Sequence, residues 1–126
     1  MRSDSFRAAA EAKDFSQVDD LLSEDIVFRS PAVFKPYEGC DLVKVILGAV
    51  VQVFEDFRYI DQVEGDDHAV LFFEARVGDR SLQGVDILRF AGDGRVSELT
   101  VMIRPMSGLQ ALAEEMGRRL QAAGAA

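Results

Sequence analysis

Four stretches in the second half of the chain are rich in apolar and β-branched residues, and only turn sequences separate them. They run over Asp56–Val63, His68–Val77, Ser81–Phe90 and Val96–Arg104. The connectors EGDD, GDR and AGDGR are short and built from Gly and Asp, the residues that turns use. Strands joined this tightly pair antiparallel, because a parallel return needs a crossover of a dozen or more residues. A long meander of this kind requires something to cover one of its faces.

The first half supplies the cover. Ser3–Lys13, rich in Ala and charged residues, reads as a helix. Asp14, with Gln17 three residues on, has the pattern of a capping box. It predicts a second short helix with Val18, Leu21 and Leu22 on its apolar face. DIVFRS (Asp25–Ser30) is a strand stopped by Pro31, and PAVFKPYEG is a loop with two prolines. Asp41 is placed to cap a helix over Leu42–Phe54, where Leu42, Val43, Ile46, Leu47, Val50, Val53 and Phe54 recur at helical spacing. After Pro105, Ser107 and Gln110 predict the start of a last amphipathic helix with Leu109, Leu112, Met116 and Leu120 on one face. The terminal QAAGAA is expected to fray. The order is helices, one strand, a helix, then a meander. That is an α+β domain spanning residues 1–126, with helices on one face of a bent antiparallel sheet.

Composition narrows the function. The net charge of −8 argues against nucleic acid or an anionic membrane as a partner. A lone Cys40 cannot form an internal disulfide, which suits a cytoplasmic location. One histidine, His68, and no Cys or His pair at ligand spacing leave no metal site, and nothing implies another cofactor. No apolar leader follows the N-terminus, and the greasiest stretch, Leu42–Phe54, is too short to span a bilayer. Nine Phe and no Trp point to a large apolar interior.

Alternation sorts the strand faces. Ala69, Leu71, Phe73, Ala75 and Val77 share one face, as do Leu99, Val101 and Ile103, and these should meet the helices. The opposite face is mixed: it keeps Val70, Phe72 and Met102 beside His68, Glu74, Arg76, Glu98 and Arg104. Such a face suits a partner subunit, so a homodimer is expected. The Ser81–Phe90 strand is ambiguous. Either Val85, Ile87 and Arg89 face in, or Gly84, Asp86, Leu88 and Phe90 do. In the second case a carboxylate enters an apolar interior, where it must be protonated or hydrogen-bonded.

The element order, the strand–turn–strand GVDILRFAGDGRV and the DIVFRSP stretch resemble the nuclear transport factor 2-like superfamily, in its SnoaL-like and ketosteroid isomerase-like branch. The resemblance covers about Phe6 to Arg104. It implies a curved sheet wrapped into a cone around the N-terminal helices, an α+β barrel with a cavity inside. In the isomerases a neutral carboxylic acid donates a hydrogen bond from an apolar–Asp–x–x–Arg–Phe strand, a case the physical chemistry of enzymes knows well. Val85-Asp86-Ile87-Leu88-Arg89-Phe90 matches that pattern and favours Asp86 facing the cavity. The isomerase base, an Asp before Pro, corresponds to Ser30 before Pro31, and the oxyanion-hole Tyr corresponds to Phe6. Ser cannot shuttle a carbon-bound proton unaided and Phe cannot donate, so the resemblance does not extend to that mechanism. The Asp–Arg–Asp set of the related epoxide hydrolases falls on the apolar residues Ala69, Leu71 and Val101.

Asp86 is thus the candidate catalytic or anchoring acid; its alternative is a structural carboxyl satisfied by a neighbouring Tyr or backbone group. Tyr59, on a face with Phe57 and Asp61, could offer its hydroxyl to a ligand or simply pack at a rim. Ser30 could bond a ligand or cap a strand end. Phe6, Phe28, Phe54, Phe73, Leu88 and Val101 are the candidate apolar wall, within a wider set that includes Phe34. His68 reads as a turn-edge residue, Arg104 as a bridge to an acid, Glu74 and Arg76 as surface pairs, and Cys40 as packing. The resulting expectation is a SnoaL-like domain, a binder or an acid–base enzyme, with an apolar cavity for a hydrophobic oxygenated small molecule. The alternative is a non-catalytic dimerisation or protein-interaction module using the mixed outer face.

Overall fold

The computed structural model describes residues 1–122. Its elements are α1 (Asp4–Glu11), β1 (Leu22–Arg29), β2 (Tyr37–Glu38), α2 (Cys40–Val53), β3 (Glu55–Glu64), β4 (His68–Val77), β5 (Arg80–Phe90), β6 (Val96–Arg104) and α3 (Met106–Ala122). The six strands form one curved sheet in the order β2-β1-β6-β5-β4-β3. The meander β3 to β6 pairs antiparallel throughout. The sheet is not purely antiparallel: β1 lies parallel to β6. The long connection from β1 through α2 and the meander is what permits this pair.

The helices cover the concave face. Leu22, Ile26, Val43, Leu71, Leu88 and Leu99 are fully shielded there. On β4, Ala69, Leu71, Phe73 and Ala75 are buried, and Val77, at the strand end, is half-buried. The ambiguity on β5 resolves to the second choice: Asp86, Leu88 and Phe90 face in, while Arg89 is exposed. Gly84 belongs to the inward set because a Cβ there would stand 2.4 Å from the Phe73 ring and 2.8 Å from the Met102 carbonyl oxygen. Only Gly lets that ring lie across β5.

Several local expectations fail for local reasons. The predicted second helix is absent, and Leu22 instead opens β1. Asp14 caps nothing longer than a turn: its Oδ1 accepts from the Ser16 amide at 2.9 Å and from the Ser16 hydroxyl. Lys13, at φ 55, has already turned the chain. α2 begins at Cys40 behind Gly39 (φ 98), and Asp41 lies in its first turn without capping it. α3 begins at Met106, directly after Pro105. Phe34, expected among the interior aromatics, is 101% exposed on the loop between β1 and β2. The frayed end expected at QAAGAA falls partly outside the described residues, with Gln121 and Ala122 closing α3. Among the described residues, no helix is long and apolar enough to cross a membrane.

Candidate functional site

A cavity of about 60 Å³ lies between the concave face and the helices. α1 contributes Phe6 and Ala10, α2 contributes Leu47, Val50 and Val51, and α3 contributes Leu112. The sheet contributes Phe28, Phe57, Tyr59, Phe73, Asp86, Val101 and Ile103. Two of these side chains are polar, Asp86 and Tyr59; the rest are apolar.

The register explains how the two meet. Asp86 sits in the row Gln62–Leu71–Asp86–Val101, and Tyr59 in the next row, Tyr59–Phe73–Gly84–Ile103. They are two strands apart, with β4 between them. The long Tyr59 side chain bridges that gap, and its hydroxyl donates to Asp86 Oδ2 at 2.7 Å. Edge-on contacts with Phe57 (4.9 Å) and Phe73 (6.3 Å) fix the Tyr59 ring. The Arg7 guanidinium lies 5.5 Å from that ring's centre. Among the described residues Tyr59 is the sole side-chain donor to Asp86.

Burial sets the chemistry. Asp86 is 8% exposed. Loss of water pushes its carboxyl up to about 7, against the pull of the Tyr59 hydrogen bond, which favours the charged form. Burial also drives the Tyr59 hydroxyl upward, and the Asp86 charge and hydrogen bond add to it, so Tyr59 stays a neutral donor. The wall therefore offers one acid that is largely neutral below neutrality and ionised above it. In the neutral form it can donate to a ligand oxygen; when ionised it can only accept.

Of the sequence candidates, Asp86, Tyr59, Phe6, Phe28, Phe54, Phe73 and Val101 all lie on the cavity wall. Leu88 and Ser30 do not. Leu88, two residues along β5, fills the solid core between Ala69 and Leu99. Ser30 spends its Oγ on the turn, accepting from the amides of Ala32 (3.0 Å) and Val33 (3.3 Å). Asp61 does not share the face of Tyr59, because a bulge between them turns Asp61 outward. Phe15 and Leu112 are wall residues that sequence reasoning passed over. The stripe Leu47–Val50–Val51–Phe54, at i, i+3, i+4 and i+7, was the available signal for α2.

The remaining candidates lie away from the cavity. His68 pairs with Asp67 at 2.5 Å. Arg104 donates to the Gln83 side-chain oxygen at 2.8 Å, with no acid among the described residues to bridge to. Glu74 pairs with Arg58 at 2.7 Å, and Arg76 with Glu55 and Asp56. Burial raises the Cys40 thiol, against any lowering by the start of α2. Among the described residues no three His, Cys, Asp or Glu side chains are grouped to hold a metal.

The family model for the SnoaL-like domain matches residues 4–99. The chain belongs to the SnoaL-like domain family. A steroid delta-isomerase from Pseudomonas aeruginosa is 48% identical, with a TM-score of 0.93 over 99% of this chain and 93% of its own. A protein with a cystatin-like fold from Silicibacter pomeroyi is 30% identical, with a TM-score of 0.92 over 95% of this chain and 85% of its own. A nuclear transport factor 2-like protein from Mesorhizobium loti, 17% identical over 82% of this chain and 88% of its own, shares the fold at a TM-score of 0.73. No curated protein matches the sequence. The family-model match ends at Leu99, before α3.

Proposed function

We propose that this SnoaL-like domain binds an apolar small molecule carrying one oxygen acceptor, with Asp86 as the acid that holds the oxygen. The carrying observation is that Asp86, 8% exposed, is the one carboxylate among the described residues at the wall of an otherwise apolar cavity. Its 2.7 Å bond from Tyr59 is common to this reading and to a structural carboxyl, but it occupies one oxygen only. Tyr59 occupies Oδ2 and fixes the carboxyl plane, leaving Oδ1 to carry the proton toward the ligand. A ketone or enone oxygen suits that donor, and the kinship with a steroid delta-isomerase supports a steroid-like body. Moving a double bond also needs a base at the reacting carbon. Asp86 is the only carboxylate among the described wall residues, and Ser30 is committed to its turn. The reading is therefore binding and polarisation of a carbonyl rather than steroid isomerisation.

The test is testosterone affinity against pH, for the native chain and Asp86→Asn. Binding that requires the neutral acid weakens about 30-fold between pH 6 and pH 8.5, following the neutral fraction of a group near 7. Asn donates at every pH, so its profile is flat. Flat profiles for both proteins would remove Asp86 from the ligand.

A separate observation supports a second copy of this chain on the outer face. Phe72, Val85 and Met102 form one apolar row across β4, β5 and β6, and Val70 and Ile87 lie in the next. Met102 is 57% exposed. Polar rows flank them: Arg58–Glu74–Gln83–Arg104 on one side and Arg89–Glu98 on the other. An apolar centre inside a polar rim is the layout of a protein interface.

A further inference from the structure

The cavity is too small for the occupant its walls suggest. Small-molecule pockets are roughly 300–1,000 Å³, and this one is about 60 Å³. A steroid-sized body enters only if a wall moves. The strands are tied into the sheet. α1 is pinned at its start: Glu64 accepts from the Arg2 amide and the Ser3 hydroxyl at 2.8 Å each, and Arg7 donates to Gln62 at 2.9 Å. α2 buries five of its 14 residues and runs almost directly into β3.

α3 is held differently. It is 17 residues long and buries three, Gly108, Leu112 and Leu120. Its side-chain hydrogen bonds and ion pairs run within the helix, Gln110 to Glu114 and Arg118 and Arg119 to Glu115. Among the described residues, no hydrogen bond or ion pair joins it to anything before Pro105. Its first turns are seated closely on β5, where a Cβ at Gly108 would stand 2.8 Å from Leu82 Cβ. Its later turns rest on apolar contact alone, against α2 and the sheet, so moving them breaks no side-chain hydrogen bond or ion pair to the body.

We propose that α3 is a displaceable wall of the cavity, pivoting near Gly108, and that Leu112 sets the size of occupant admitted without displacement. This rests on the ligand-binding reading above, but displaceability is measurable without a ligand. Leu120 anchors the far end of α3 and does not line the cavity, so Leu120→Ala loosens the wall and leaves its lining intact. Leu112→Ala enlarges the cavity instead.

The experiment is residue-resolved amide exchange of the full chain, with and without saturating testosterone, together with testosterone affinity. In the unliganded protein, α3 amides are expected to exchange at least about 100-fold faster than those of α2. Leu120→Ala speeds α3 further, with β4 and β5 unchanged as the control for folding. Testosterone lowers α3 protection in the native chain and binds Leu120→Ala at least about fivefold tighter, since less packing must be broken. Leu112→Ala also binds tighter, but α3 then keeps its protection. Unliganded α3 amides as slow as those of α2, or α3 protection that rises on binding in the native chain, overturn the proposal. Failure of testosterone to bind any of the three proteins overturns the ligand reading, and the unliganded exchange still decides whether α3 moves.

Discussion

Asp86→Asn makes a sharp prediction for stability. The Asp86 carboxyl sits at about 7 in the folded chain, against a reference value of 3.8. Its folded-state value is raised, so its contribution to stability is full below pH 3.8 and is lost as pH climbs through 7. Each unit of difference is worth about 1.4 kcal/mol, so the whole effect is about 4 kcal/mol. Between pH 5 and pH 8 the native chain loses roughly 2–3 kcal/mol from this one group. Asn has nearly the same shape, can still accept from Tyr59 and does not titrate. The stability of Asp86→Asn minus that of the native chain should therefore grow by roughly 2–3 kcal/mol from pH 5 to pH 8. Subtraction matters, because carboxylates such as Glu64 and Glu74 are lowered by their hydrogen bonds and act in the opposite sense. Their contribution is common to both chains and cancels. The assay is urea unfolding at half-unit pH steps, where the gap amounts to roughly 1–2 M in midpoint. A difference constant to within about 0.5 kcal/mol would mean that water reaches the carboxyl and that the acid is ordinary. The ligand chemistry built on its neutrality would fall with it.

Tyr59→Phe removes the donor that stabilises the ionised form, so the Asp86 carboxyl should rise above its native value, read by carboxyl-carbon NMR; at pH 8 the chain should lose about 1–3 kcal/mol. Gly84→Ala forces a methyl group into the Phe73 ring and should cost about 2 kcal/mol or more by chemical unfolding, with Phe73→Leu in the same chain recovering part of it. The second copy proposed for the outer face predicts that the native chain sediments as a dimer and that Phe72→Glu, 37% exposed there, sediments as a monomer with an unchanged far-UV spectrum.

The meander was legible because two local signals agree there. Turn residues fix the connections and period-two alternation fixes the faces, so β4 and β6 begin and end at the expected residues. Upstream, one local signal had two readings. Asp14 followed by Gln17 fits a capping box, but an Asx turn onto Ser16 uses the same carboxylate, and Lys13 had already left helical geometry. Val18 and Leu22 are buried as a helix face would require, yet Leu22 is the first residue of a strand. Burial alone does not distinguish those two cases.

The site was legible by residue; a Tyr partner for Asp86 was one expectation, but which Tyr was not legible. Asp86 stood out because a carboxylate interrupts an apolar strand, and that signal lives on one strand. Its bond to Tyr59 does not, because the two residues are 27 positions apart with a whole strand between them. The bond depends on Gly84 leaving space for Phe73, on Phe73 steering the Tyr59 ring, and on a bulge that separates Tyr59 from Asp61. Each of these is a register effect, and register is set by the whole sheet. The same distinction explains α3. Its amphipathic stripe predicts that it packs somewhere, but its lack, among the described residues, of any polar tie to the body before Pro105 follows only from where its charges point once packed. A wall held by Gly108, Leu112 and Leu120 and, among the described residues, by no hydrogen bond to anything before Pro105 can yield to a ligand without unpairing a buried polar group. Displacing α1 would break the Glu64 cluster at the same time. The difference in polar ties, rather than in apolar area, makes α3 the wall that moves.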